Sequence, residues 1–184
     1  MAKKNRYINE SIVLDQAYVA KFWGKWGVFS ASKDEIRVSA WAKTLKEAIK
    51  KSEGLEAPIF FHAVPSATAL YVVATLMFGK RFLTVLASPD SGAYGCVFSH
   101  EIAEHLGLDL AESKKIKTYG AAGFGHSFVR EIRMRLASDK NIVKAEAYFV
   151  KRNDTPSLLG YGGLFDNYEV VFHPRTGMKF KYIK

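Results

Sequence analysis

The sequence predicts a mostly β domain preceded by a small α+β unit, and three observations predict it. In "VREIRMRLA", apolar Val129, Ile132, Met134 and Leu136 are set against arginines and Glu131, the last three apolar residues at the two-residue period of a half-buried strand. Runs rich in β-branched and aromatic residues recur along the chain, bounded by Gly, Pro, Asp and Ser. Clear helical spacing is confined to two short stretches, "TLKEAIKKSEG" and "FSHEIAEHLGL".

Taken in order, "KWGVFSA" and "EIRVSAWA" are short strands separated by "SKDE", a hairpin. The first helix has Thr44 as its N-cap and ends by Gly54. Leu45, Ala48 and Ile49 face inward while Lys46, Glu47, Lys50 and Lys51 face water. "APIFFHAVPS" is a buried strand stopped by Pro65, completing a ββαβ unit over residues 1–66, and the boundary is placed in "VPSAT", residues 64–68. Residues 67–184 form the second domain. "ALYVVATLMF" and "KRFLTVLAS" flank Gly79 as a hairpin. "FSHEIAEHLGL" is amphipathic, with Ile102 and Leu106 on one face and Gly107 as its stop. The glycine-rich "KTYGAAGFGHSF" is flanked by strands, and "NIVKAEAYFV" is another strand. "SLLGYGGLFDNY" is an apolar pair running into glycines, and "YEVVFHP" with "MKFKYIK" makes a terminal hairpin.

Bulk properties narrow the function classes. At 184 residues with 48% hydrophobic content the chain has enough apolar material for a real core. Lys and Arg outnumber Asp and Glu 27 to 18, but the basic residues form no long run, so nucleic acid is not the expected partner. Cys96 is the only cysteine, which excludes an internal disulfide. The N-terminal "MAKKNRYINESIVLDQ" is too polar for a signal peptide, and the longest apolar run falls short of the ~20 residues of a membrane helix. A reducing cytoplasm is the expected compartment.

The chemistry centres on "FLTVLASPDSGA". It places a carboxylate, Asp90, at the end of a strand apolar on both faces. Asp90-Ser91-Gly92 suits a tight turn, because glycine bends without a Cβ clash and serine bonds nearby backbone. Alone, the tripeptide also fits an Asx turn that merely closes a loop. Three downstream segments, in their order along the chain, add to it: a helix ending in "HLGLDL", the connection "TYGAAGFG", then Leu158-Leu159-Gly160 with a terminal hairpin.

That layout resembles the retropepsin-like aspartic peptidases over about residues 69–184, which implies a closed β-barrel or sandwich carrying half of an active site. The resemblance implies that Asp90 is the catalytic aspartate of a D-[ST]-G-A motif and that Ser91 and Gly92 support its loop. It implies that Ala93, Tyr119, Gly120, Leu159 and Gly160 lie along the substrate path, with the loop from Tyr119 to Gly125 as a closing flap. Leu158, Leu159 and Gly160 would pack beneath the catalytic loop. Such peptidases need two carboxylates and neither metal nor other cofactor. None of Asp15, Asp34, Asp109, Asp139, Asp154 and Asp166 repeats the pattern, so the expected enzyme is a homodimer acting on a peptide or protein substrate.

Two features depart from the family. Pro89 stands before the aspartate, removing a backbone donor. Tyr161 follows the apolar-apolar-Gly segment where arginine is frequent, and Tyr94 occupies the position of the acid that pairs with that arginine in viral members. Both halves are missing together, so no unpaired charge is left. An inactive module of the same fold that binds a peptide or partner protein is the alternative reading, supported by Pro89.

Other motifs have plainer explanations. The glycines of "GAAGFG" lack the Lys-[ST] of a phosphate loop and lead into a strand. His100 and His105 are five apart, not the four that aligns ligands on a helix. Cys96 reads as a small buried residue, and Trp23, Trp26 and Trp41 as core of the N-terminal unit.

Overall fold

The computed structural model describes residues 8–9, 11–13, 16–31, 36–63, 70–120, 123–137, 139–152, 155–173 and 177–184. It opens with β1 (Ile8–Asn9), β2 (Ser11–Val13) and a short helix α1 (Gln16–Ala20). The ββαβ unit follows as β3 (Lys25–Ala31), β4 (Ile36–Ala42), α2 (Leu45–Lys51) and β5 (Ile59–Ala63). Thr44 caps α2 by accepting the Glu47 N–H at 3.2 Å, and Glu47 reaches back to the Lys43 N–H at 3.0 Å. The "SKDE" connection and the expected boundary at 64–68 lie outside the described residues.

The remainder is β6 (Leu70–Phe78), β7 (Arg81–Pro89), β8 (Cys96–Ser99), α3 (His100–Leu106), β9 (Lys114–Gly120), β10 (Gly123–Leu136), β11 (Val143–Val150) and β12 (Leu158–Leu159). An irregular turn at Tyr161–Phe165 leads to the hairpin β13 (Tyr168–His173) and β14 (Gly177–Tyr182), whose other edge takes β1. The helix expected from Phe98 starts at His100. Phe98 and Ser99 extend β8 instead, because Phe98 is needed inside the barrel, where it is fully buried. Gly107 ends α3 in the left-handed region at φ 74°, which favours glycine.

The chain is mostly β, and its centre is a closed barrel of six strands. The ring runs β6-β10-β11-β8-β12-β7, and β7 pairs back onto β6 from Val72↔Ala87 to Phe78↔Arg81. Alternation explains the lining. Val72, Ala74 and Leu76 of β6, Val85 and Ala87 of β7, Ile132 and Met134 of β10 and Ala145, Ala147 and Phe149 of β11 are all buried in one cluster. Toward its C-terminal end the opposite face of β7 is buried too. Leu86 packs with Ile59, Phe61, Phe29 and Tyr71 in a second cluster, while β5 adds a strand beside β7 through Phe60↔Val85. The apolar character of β7 on both faces thus has a cause: barrel on one side, N-terminal unit on the other.

Candidate active site

Asp90 emerges from the end of β7 as the chain leaves the barrel wall. The segment that fixes it is β12, two residues seated between β7 and β8. It runs parallel to β7 (Leu158↔Ser88, Leu159↔Pro89) and antiparallel to β8 (Leu158↔Val97). Ser88 N–H donates to Ser157 O at 2.9 Å and Asp90 N–H to Leu159 O at 3.0 Å. The return strand is equally tied, because Tyr161 N–H donates to Ala93 O at 3.0 Å and Gly162 N–H to Tyr94 O at 2.7 Å. The loop 90–95 is therefore laced to 157–162 on both of its limbs.

These bonds show how Pro89 is accommodated in the strand. In a strand, alternate N–H groups point to opposite sides, so the donors at 88 and 90 face β12 and position 89 faces the other way. On that other side, among the described residues, the register with β6 runs from Arg81 to Ala87. The missing N–H costs the lacing nothing.

Within the loop, Asp90 Oδ1 accepts the Gly92 N–H at 2.8 Å, and Ala93 N–H donates to Asp90 O at 3.2 Å, an Asx turn inside a tight backbone turn. Asp90 is half-buried, Ala93 likewise, and Ser91, Gly92 and Tyr94 are exposed. Leu159 and Gly160 are buried directly beneath. Gly160 has no room for a side chain: a Cβ there would stand 2.3 Å from Gly95 O and 2.5 Å from Ala93 O. Gly95 and Gly163 are equally crowded, against the Tyr148 ring and the Cys96 sulfur at 2.2 and 2.7 Å. The structure therefore brings Asp90, Ser91, Gly92, Ala93, Leu159 and Gly160 into one knot. Sequence reasoning missed Gly95, Ser157 and Gly163 as parts of it. The clustering of glycines in "GYGG" was the available signal.

Tyr119 and Gly120 sit elsewhere, on β9, opposite Phe124 and Gly123 of β10. Among the described residues, β10 from Gly123 to His126 pairs only with β9, whereas from Ser127 onward it also pairs with β11. The end of this hairpin is thus an overhang, with Tyr119 strongly exposed. Residues 121–122 at its tip lie outside the described residues.

Two further titratable groups, Asp139 and Cys96, are buried in the fold. Asp139 is buried, with Oδ2 accepting the Tyr168 hydroxyl at 2.7 Å and Oδ1 accepting the Asn141 side-chain and backbone N–H groups at 2.9 and 3.1 Å. Its oxygens are occupied in holding β13 to the 139–141 turn. Cys96 is buried, as expected from sequence. Burial pushes its thiol up to about 11, with the neighbouring backbone of Gly160 and Leu164 pulling the other way. Burial, then the Asp139 bond, also raises the Tyr168 phenol. Both groups are neutral in the fold, so their contribution is fully present below their unfolded values and is lost as pH rises past them. Thermal stability is expected to hold up to about pH 9 and fall beyond it. Cys96→Ala should flatten the decline between pH 9 and about 11, read as melting temperature against pH. An unchanged slope would remove Cys96 as its source.

No family model and no curated protein matches the chain. A solved structure is similar to it. That structure is a retropepsin-like aspartic protease from Rickettsia conorii, aligned at 20% identity and a TM-score of 0.48 over 65% of this chain and 87% of that one. Among the described residues, no helix is long and apolar enough to cross a membrane.

Proposed function

We propose that the chain is a homodimeric aspartic peptidase that hydrolyses peptide bonds with a water held between Asp90 and Asp90 of the partner subunit. The observation that carries this reading is the knot itself. A half-exposed carboxylate is fixed where a strand ends in a stretch buried on both faces, Val85 to Ser88, and its loop is bonded from below along both limbs. A turn that merely closed a loop would not need a second segment, some 70 residues downstream in the sequence, threaded beneath it. The outer surface of the loop, at Ser91, Gly92 and Tyr94, is open to a second copy. Tyr94 and Tyr161 are 76% and 49% exposed, and association there would remove apolar ring surface from water.

The chemistry follows from placing two such carboxylates together. Both cannot ionise cheaply at hydrogen-bond distance, so the pair holds one proton over a range of pH. The ionised oxygen takes a proton from the water as it attacks the scissile carbonyl carbon. The protonated oxygen donates to the carbonyl oxygen as the carbon becomes tetrahedral. Collapse of that intermediate breaks the C–N bond, and a proton from the pair goes to the departing amine. Activity is therefore expected to fall at both acid and alkaline extremes, where the pair holds two protons or none. In this reading Ala93, Leu159 and Gly160 border the cleft, and the β9–β10 overhang with Tyr119 and Gly120 closes over the peptide.

Each subunit supplies half of the site, so specific activity should rise with chain concentration and level off as dimer forms. Hydrolysis of a denatured-protein substrate, measured beside sedimentation velocity across the same concentrations, checks this. Specific activity independent of concentration in a strictly monomeric protein would sink the reading. A wild-type dimer that cleaves nothing would favour the binding module instead, although its support from Pro89 is weakened by the geometry of β7 and β12.

A further inference from the structure

The far end of β7 carries a second feature. On the outer face of the barrel, beside the β6–β7 turn, lies a cavity of about 620 Å³. Its floor is the outward row of three strands: Thr75 and Met77 of β6, Phe82 and Thr84 of β7, and Arg133 and Arg135 of β10. Its wall is the N-terminal unit, through Ile49, Pro58 and Phe60, so the cavity exists only where that unit leans on the barrel. Its lower end is six residues along β7 from Asp90, about 20 Å away.

We infer that this groove docks an acidic peptide segment bearing one large apolar side chain. Charge complementarity is the first argument. Lys80, Arg81, Arg133, Arg135 and His105 line the groove, and among the described lining residues there is no carboxylate. Arg81 and Arg133 donate to the carbonyls of His105 and Gly79, at 3.3 and 3.2 Å, which orients the guanidiniums without cancelling their charge. Spacing is the second argument. Arg133 and Arg135 stand two residues apart on one strand, about 6.6 Å, which matches alternate side chains of an extended peptide. A small anion would meet one cation; an extended acidic chain meets several. The third argument is the middle of the groove, where Ile49, Met77, Phe82 and Leu83 are apolar and Phe82 is 65% exposed. This apolar middle suits a leucine or phenylalanine side chain. Nucleic-acid strands are held on successive aromatic platforms, and Phe82 alone does not make one. The groove gives the N-terminal unit a role in selecting partners, and this reading is independent of chemistry at Asp90.

The test uses the full chain as Asp90→Asn, so that hydrolysis does not enter. Fluorescence anisotropy is measured with a labelled decapeptide of glutamates around one phenylalanine, its lysine counterpart, a version with serine for phenylalanine, and oligothymidylate. The glutamate peptide should bind at least tenfold tighter than the lysine peptide and several-fold tighter than the serine version, weakening with salt. Arg133→Ser with Arg135→Ser should reduce that affinity about tenfold with the melting curve unchanged. Should that pair perturb folding, exposed Lys80→Glu with Arg135→Glu takes its place and should abolish the preference. Equal binding of the acidic and basic peptides, indifference to both double variants, or tighter binding of oligothymidylate would each overturn the proposal.

Discussion

On the proposed reading, Asp90→Asn is expected to lower peptide hydrolysis by about 10³-fold or more while leaving the fold and the state of association unchanged, the scale of removing a general acid–base group. The substitution is discriminating because asparagine keeps an Oδ1. The 2.8 Å bond from the Gly92 N–H survives, and with it the turn that shapes the loop. A melting temperature within about 2 °C of wild type should accompany the loss. Asp90→Ala removes the acceptor as well and should cost roughly 1 kcal/mol beyond the lost activity. The comparison separates a carboxylate needed for proton transfer from one needed only to close a turn. Asn-substituted protein that keeps activity within tenfold of wild type would place the chemistry elsewhere.

Gly160→Ala carries the second large effect. The added methyl would lie 2.3 and 2.5 Å from the carbonyl oxygens of Gly95 and Ala93. Neither is a side chain that can rotate away, and Ala93 O is itself held by the Tyr161 N–H at 3.0 Å. Relief requires the aspartate loop and β12 to separate. Overpacking of this kind costs about 1–3 kcal/mol or more, and for a chain of this length that is roughly 2–12 °C in melting temperature. Gly162→Ala, two residues along, is the internal comparison. Its methyl would meet Glu146 Cβ at 3.2 Å and Tyr94 O at 3.5 Å, a contact that needs far less adjustment. Calorimetry of both variants should show the Gly160 change at least twice as damaging, with hydrolysis reduced further than the lost stability explains. Equal, small shifts in both would mean that β12 does not hold the loop.

What could be read from the sequence depended on whether one segment carried its own signal. β10 announces itself because Ile132, Met134 and Leu136 alternate with Arg133 and Arg135, and α2 because Thr44, Glu47 and the leucine-alanine stripe agree. The mostly β class, the ββαβ order and the helix stop at Gly107 followed from such local agreement. β9 was harder to place: "KKIKTYG" is lysine-rich and exposed along an edge, so nothing alternates strongly enough to mark a strand. β12 is shorter still, two leucines whose strand character comes wholly from β7 and β8. Asp90 was visible through its turn residues, but the fact that position 89 faces away from β12 was not. It depends on which side of β7 each N–H faces, and that is fixed only by pairing. The groove beside Phe82 was invisible for the same reason, since its wall and floor are far apart along the chain.

The threading of β12 beneath residues 90–95 also has a consequence for biosynthesis. When a ribosome has delivered the aspartate, the segment that completes its loop has still to be translated, and about 70 more amino acids must follow before the knot closes. A nascent chain therefore carries an unsupported aspartate loop until β12 has been delivered, and the timing of its closure is written into strand order.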